Sequence, residues 1–350
     1  MKLKRLLILQ IAFSIFVWNS MASAIATDGA ISVSHKCVGP KLSPKNFETL
    51  SIASQLALVP AIEFGNSAEC FKKYGIKLKT TIVATTQIGM AGLVGGSFDL
   101  VVNTPTNLLL AIANGNFDGR LVVPRHGYTD EELIRAKLEP YYPGELLLQS
   151  ALIVASKSSI KNWGDLAGKK IALQSINSAD HAGALLAMME NKVDVSSVEF
   201  LSIPSSQMES ALKQGDVDAV IPNDPFASQI INVDGGKIIG YPQAYFAQPG
   251  VAVAYVSSGK VVKAKRKALM AFKSAIFEIN KLINDPVNQP SYRALSAKIS
   301  GISPLAASKI RIPDFITQDV NESELNSTQK KLIKVGFMKK MIDSKKILNW

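Results

Sequence analysis

The sequence predicts an α/β chain built as two similar lobes, and three observations carry that prediction. Residues 163–226, WGDLAGKKIALQSINSADHAGALLAMMENKVDVSSVEFLSIPSSQMESALKQGDVDAVIPNDPF, parse as strand, helix, strand, helix, strand, the rhythm of a parallel sheet. The stretch TTQIGMAGLVGGSFDLVVNTP at 85–105 echoes SSQMESALKQGDVDAVIPNDP at 205–225: two hydroxyl residues, a Gln, a short helix, a Gly, an Asp, an apolar strand, then an Asn near a Pro. Two apolar runs, Leu146 to Ala155 and Val251 to Ser257, flank the central unit and can cross between lobes.

The elements follow in order. Residues 1–24 have a basic start (Lys2, Lys4, Arg5), an apolar run from Leu6 to Trp18 and a small-residue end at Ala22, Ser23 and Ala24, the pattern of a secretory signal peptide cleaved after Ala24. The apolar run is shorter than the ~20 residues of a spanning helix. Glu48 to Ser54 reads as a strand. Leu56 to Tyr74 reads as mostly helical, with Pro60 and Gly65 shaping or breaking it. Lys77 to Val83 is the next strand, followed by Thr85, Thr86 and Gln87, a short helix to Val94, and a strand from Phe98 to Val102. Asn103, Thr104 and Pro105 end that strand, and Pro105 suits a first helical turn that Leu108 to Ala113 continue. Arg125 to Glu145 reads as a polar insertion whose Pro140, Pro143 and Gly144 mark a loop. Its Tyr128, Tyr141 and Tyr142 either line a cleft or cover a lobe edge.

In the central unit, Lys170 to Gln174 is a strand ending in Ser175, Ile176, Asn177 and Ser178. Ala182, Leu185, Leu186 and Met189 recur at helical spacing, and Asn177 or Ser178 can cap that helix. Val198 to Leu201 is the second strand. Ser206 with Glu209 has the spacing of a capping box, Met208 and Leu212 give the buried stripe, and Gly215 suits a left-handed helix end. Val217 to Ile221 is the third strand, stopped by Pro222 to Pro225. Ligands of open parallel sheets sit beyond the carboxyl ends of the strands. Three loops therefore converge: Ser175 to Ser178, Pro204 to Gln207 and Pro222 to Phe226.

A chain of 350 residues makes about two domains. Residues 25–150 and 256–350 are expected to form lobe I, the latter with helices such as Lys263 to Ile283, and 151–255 lobe II. Cleavage of the leader lowers the formal charge from +11 to +8. The densest basic patches, Lys260 to Lys273 and Lys330 to Lys346, alternate with apolar residues as solvated helix faces do. Stacking aromatics and a nucleic-acid module are both missing, which argues against nucleic-acid binding. Cys37 and Cys70 are the only cysteines; in an oxidising compartment they form one disulfide or remain two free thiols. His35, His126 and His181 do not sit at metal-ligand spacing, so neither metal nor cofactor is expected.

GGSFDLVV at 95–102, WGDLAGKKIAL at 163–173, the polar turn with His181, and GDVDAVIPNDPF at 215–226 together resemble the periplasmic substrate-binding proteins of ABC importers. The type is NitT/TauT, which includes nitrate, taurine, alkanesulfonate and thiamine-pyrimidine-precursor binders. The resemblance runs from about Glu48 to Phe277. It implies the type II periplasmic binding protein fold: two lobes, each a mostly parallel sheet flanked by helices, joined by two crossing hinge strands and closing on a ligand. It also implies a monomer that hands its solute to a permease and its ATPase. SIASQLALVP at 51–60 fills the place of the family's first ligand loop, so Ser54 and Gln55 join the candidates.

In such a cleft Thr85, Thr86, Asn103, Thr104, Ser175, Asn177, Ser178, Ser205 and Asn223 can supply neutral hydrogen bonds, and Gln87 and Gln207 both donate and accept. Asn177, Ser178 and Ser206 can equally be helix caps, and His181 can be a solvated helix-face residue. Asp224 either contacts ligand or caps the helix beginning at Pro225. A carboxylate there suits an amine or ring N–H and repels an anion. No Arg sits in these loops, which tilts the reading toward a neutral or cationic heterocycle.

Three functions compete. The first is an exported receptor that delivers a small polar organic molecule or anion to an ABC-type permease. The second is an enzyme on the same fold, such as a thiamine-pyrimidine synthase, although the CCCFC motif of those enzymes is absent and no G-x-S-x-G or nucleophile–base pattern appears. The third is a sensory or scaffold protein that kept the receptor fold.

Overall fold

A computed structural model describes residues 33–42, 44, 46–139 and 145–350. The expected signal peptide and Pro140 to Gly144, with Tyr141 and Tyr142, lie outside the described residues.

The chain opens with β1 (Glu48–Ser54), α1 (Val59–Ser67), α2 (Cys70–Lys73), β2 (Ile76–Ile82), α3 (Thr86–Val94), β3 (Leu100–Asn103), α4 (Pro105–Gly115), β4 (Gly119–Tyr128) and α5 (Asp130–Leu138). Then come β5 (Leu152–Val154), β6 (Lys170–Leu173), α6 (Ala179–Glu190), β7 (Glu199–Ser202), α7 (Ser205–Gln214), β8 (Ala219–Ile221), α8 (Phe226–Asn232), β9 (Lys237–Gly240) and α9 (Gln243–Phe246). The chain finishes with β10 (Gly250–Ser258), α10 (Gly259–Asn284), α11 (Gln289–Ser300), α12 (Pro304–Ser308), β11 (Asp314–Phe315), α13 (Glu322–Lys334) and α14 (Ser344–Leu348).

Two sheets result. The first has six strands in the order β11-β4-β10-β3-β1-β2, and the second five in the order β7-β6-β8-β5-β9. The expected two-sheet α/β class is what the chain forms. Parallel pairing is confined to β2-β1-β3 and β7-β6-β8, whose strands are joined through helices; the remaining pairs are antiparallel. Strand β1 sends Leu50 and Ile52 to one face, against Phe64 of α1 and Leu269 and Phe272 of α10. Ala53 goes to the other face, with Leu93, Leu108 and Leu332. Burying each large side chain of this kind contributes about 1.5–3 kcal/mol, so both helical layers are held to the sheet from its two sides.

The sequence echo has a structural counterpart. Gly96 (φ +79°) and Gly215 (φ +77°) take the left-handed conformation that glycine adopts without steric cost. Behind each helix end the same bond closes the turn: Ser97 N–H to Gly92 O at 2.8 Å, Asp216 N–H to Ala211 O at 3.0 Å. Asp99 then donates its N–H to Ser51 O (3.0 Å) and accepts the Ser51 N–H at its carboxylate (2.8 Å). Asp218 does the same with Lys170, at 2.9 and 2.8 Å. The repeated Gly and Asp thus pin β3 to β1 and β8 to β6.

Several expectations are corrected. The two runs expected to cross each belong to one sheet: Leu146 to Ala155 is a strand only over Leu152–Val154, and Gly250–Ser258 lies wholly in the six-stranded sheet. The return to the first sheet therefore comes before residue 250, not near 255. The polar insertion begins as strand, through Tyr128, and then forms α5, started by a Thr129/Glu132 capping box. The Ser206/Glu209 box does not form. Helix α7 starts two residues earlier, at Ser205 behind Pro204, and Glu209 pairs instead with Lys213 at 2.6 Å. On α6 the buried stripe holds Met188, while Met189 is exposed, because the helix packs on both the sheet and α9 and its buried arc is shifted. The basic helix α10 buries Val262, Leu269, Phe272 and Ile276 and leaves Lys263 and Lys267 exposed, as a solvated face does.

Cys37 and Cys70 are disulfide-bonded, with Cα atoms 5.1 Å apart, tying the segment before β1 to α2. No helix among the described residues is long and apolar enough to cross a membrane.

Candidate functional site

The carboxyl ends of β1, β3, β6 and β8 face one cavity of about 60 Å³, lined from both sheets. This is where parallel strands hand over to helices and free backbone groups collect. From the first sheet come Gln55, Thr86, Asn103, Thr104, Asn107, His126 and Tyr128; from the second come Ser150, Gln174, Ser175, Ser178, Asp180, Asn223 and Asp224. Gln149 of the segment before β5 and Gln243 at the start of α9 complete the polar wall, and Leu58, Ala179, Ala252 and Val253 the apolar one.

The sheets meet across the cavity through direct bonds. Thr86 Oγ1 and Ser175 Oγ are 2.9 Å apart, Gln87 Nε2 donates to Ile176 O at 2.7 Å, and Gln55 Nε2 donates to Gln174 Oε1. Gln174 Nε2 in turn donates to Ser205 Oγ (2.6 Å), which also accepts the Asn223 N–H (3.0 Å). The two sheets are thus tied directly to each other at the cavity.

Of the candidates read from the sequence, Gln55, Thr86, Asn103, Thr104, Ser175, Ser178, Asn223 and Asp224 line the cavity. The others sit elsewhere. Ser54 is buried and donates to Gln55 O (3.2 Å). Thr85 caps α3, accepting the Ile88 N–H. Gln87 is exposed and works as a tie between sheets. Ser205 stands one layer back, because β7 is the sheet edge and Gln174 comes between it and the cavity. Gln207 is exposed on the outer side of α7, and Asn177 is exposed with φ +61°.

His181 turns away from the cavity, its ring 4.5 Å from that of Phe200 and 5.2 Å from that of Phe337, while its Nδ1 accepts the Asn177 N–H (3.0 Å). Burial lowers its pKa to about 4, so the ring is neutral.

Two candidates bond helix starts at the cavity wall, Ser178 as the cap of α6 and Asp224 from one residue before Pro225, the cap position of α8. Ser178 accepts the His181 N–H at 3.2 Å. Asp224, 5% exposed, accepts the Ser228 N–H in the first turn of α8 at 3.1 Å and the Arg311 N–H at 2.7 Å, using both oxygens. Burial raises its pKa to about 6, with those two donors opposing the shift.

The reading of the sequence missed Asp180, which stands in the first turn of α6. Its Oδ1 accepts from Ser150 Oγ (2.7 Å) and Gln243 Nε2 (2.8 Å), and burial raises its pKa. It also missed His126, 2% exposed on β4. Arg125 Nη1 points at His126 Nδ1, and Arg125 Nη2 bonds Tyr292 OH at 3.2 Å. A guanidinium only donates, so Nδ1 accepts and the neutral ring carries its proton on Nε2. Burial, then the charges of Arg125 and Arg311, hold the His126 pKa well below its ordinary value. Among the described residues no Lys or Arg side chain lines the cavity, and no group of His, Cys, Asp and Glu there could hold a metal ion.

The profile of the NMT1-like family matches residues 55–300. The chain belongs to the NMT1-like family. That membership agrees with the resemblance to NitT/TauT-type substrate-binding proteins of ABC importers read from the sequence motifs. No match was found among curated proteins. Of the solved structures similar in fold, the alkanesulfonate-binding protein SsuA from Xanthomonas axonopodis pv. citri, bound to MOPS, has a TM-score of 0.67 at 17% identity, covering 87% of this chain and 97% of that one. The periplasmic aliphatic sulphonate binding protein SsuA from Escherichia coli has a TM-score of 0.65 at 20% identity, covering 87% and 98%. The desulfurization enzyme DSZB reaches 0.60 at 14% identity, covering 86% and 96%. At these identities the likeness is one of fold, and the fold serves both receptors and an enzyme.

Proposed function

We propose that this NMT1-like chain is an exported solute receptor: it encloses a small polar organic molecule or anion between its two sheets and delivers it to an ABC-type permease and its ATPase. The observation that carries the proposal is the closed cavity, to which both sheets contribute hydrogen-bonding side chains and across which they bond directly. Such an arrangement couples ligand capture to closure, because the same Thr86, Ser175 and Gln55 that meet in the closed form would be hydrated in an open one. The leader read from residues 1–24 supports export to the periplasm. The lobe boundaries, with residues before about 129 and after about 249 around the first sheet, would make the two connecting segments the hinge. We regard the cavity residues named above as the ligand set and the chain as a monomer.

The test is mass spectrometry of small molecules released by denaturing the freshly purified chain. The proposal expects one compound near unit stoichiometry that, added back, raises the melting temperature with concentration. A chain that releases nothing and whose melting temperature responds to no anion, amine or heterocycle is not a receptor.

A further inference from the structure

Helix starts favour negative charge, since their free N–H groups and the helix dipole point outward there. In this cavity the protein supplies that charge itself. Asp180 stands in the first turn of α6, and Asp224 bonds the first turn of α8. Both carboxylates line the cavity, and no Lys or Arg side chain among the described residues lines it with them. An incoming anion would meet two carboxylates at the helix starts.

The two acids differ in what they have left to offer. Both oxygens of Asp224 are taken by backbone N–H groups of Ser228 and Arg311. Asp180 receives its two donors, Ser150 and Gln243, on Oδ1, so Oδ2 is the other edge of a carboxylate facing the cavity. Ser150 and Gln243 are buried, which fixes that carboxylate in place. On the first-sheet side, His126 accepts from Arg125 on Nδ1 and so presents a neutral ring whose proton is on Nε2.

From this we infer that the solute is a small amine or amidine whose charged nitrogen is received by Asp180 Oδ2 and whose hydrogen-bond acceptor is turned toward His126. The inference rests on the receptor reading and narrows its ligand from polar molecules in general to organic cations. It makes Asp180 the residue that decides charge preference.

A set of three-carbon probes separates the cases: β-alaninamide, propanamidine, propionamide, propane-1-sulfonate and propionate, each titrated against the ligand-stripped chain by saturation-transfer NMR, which detects millimolar binding. β-Alaninamide and propanamidine are expected to bind about tenfold or more tightly than the neutral and anionic members, the ratio that one charged hydrogen bond supplies. Asp180→Asn, which keeps an acceptor for Ser150, is expected to remove that preference. The selectivity of the unmodified chain decides the matter even if the variant does not fold. Preferential binding of propane-1-sulfonate or propionate would leave a receptor standing and overturn the inference, as would an undiminished amine preference in folded Asp180→Asn. Binding of none of the probes, together with no released compound, would remove the receptor reading and the inference with it.

Discussion

Ser175→Ala should push the cleft open. Ser175 is fully buried and Thr86 is 8% exposed, and their hydroxyl oxygens lie 2.9 Å apart across the cavity. Removing one partner leaves the Thr86 hydroxyl desolvated and unpaired in the closed form only, since in an open form water reaches it. The cost of such an orphan is about 1–3 kcal/mol. That shifts the ratio of closed to open forms by about 5- to 160-fold, and apparent affinity falls with the closed fraction. The double variant Thr86→Val/Ser175→Ala replaces both hydroxyls by apolar groups and should recover most of the loss, because no orphan remains. Small-angle scattering of the purified chain reads the outcome directly: a larger radius of gyration for the single variant, and a return toward the unmodified value for the double. Equal radii for all three would show that this pair does not hold the lobes together, and the coupling of the site to closure would have to be abandoned.

Other predictions follow from the same structure. Asp224, with its pKa raised from 3.8 to about 6, contributes stability that is present below pH 4 and lost as pH rises through about 6. His181, lowered from 6.5 to about 4, contributes stability that is present above pH 6.5 and lost as pH falls toward 4. The two trends oppose each other, each worth ~3 kcal/mol. In denaturant titrations Asp224→Asn should therefore gain stability between pH 4 and 7 relative to the unmodified chain, and His181→Leu should lose it; parallel pH profiles for all three would refute both assignments. Reducing the Cys37–Cys70 bond, which spans a sequence separation of 33, should cost about 4 kcal/mol by loop closure, seen as a lower denaturation midpoint with reductant. Two equivalents of thiol label taken up by the unfolded, non-reduced chain would contradict the disulfide. A Cβ at Gly127 would fall on the carbonyl oxygen of Gly250, where β4 and β10 are paired beside a register shift. Because backbone cannot swing away as a side chain can, Gly127→Ala should lower the melting temperature by several degrees or prevent folding; an unchanged melting temperature would show that the strands relax there.

How far the sequence carried these conclusions depended on the kind of signal. Both βαβ units were legible because a buried parallel strand is a short apolar run and its helix repeats every three to four residues. The echo of Gly96 and Asp99 in Gly215 and Asp218 was legible because both residues do backbone work that few others can do. The site was legible where it lies at the ends of those parallel strands, as Thr86, Asn103, Ser175 and Asn223 do. It was obscure where it depends on antiparallel strands and crossings. His126 lies on β4, which pairs with β10 from far along the chain, Gln149 and Ser150 sit in a connection with no pattern of its own, and Gln243 opens the four-residue helix α9. Asp180 was hidden differently: an acid in a first helical turn reads as a dipole partner, and only the fold shows that the turn opens into a cavity. Thr129 with Glu132 was a capping box in plain sight, masked by the polar composition around it.

A receptor of this kind holds one solute between its two sheets, with contacts from both. Amide hydrogen exchange, measured on the stripped chain with and without the compound released from it, tests this most directly. Simultaneous protection is expected at Thr86 to Gln87 and Asn103 to Asn107 in the first sheet and at Ser175 to Asp180 and Asn223 to Asp224 in the second. Protection confined to one sheet, or spread evenly over the chain with none at these loops, would contradict it.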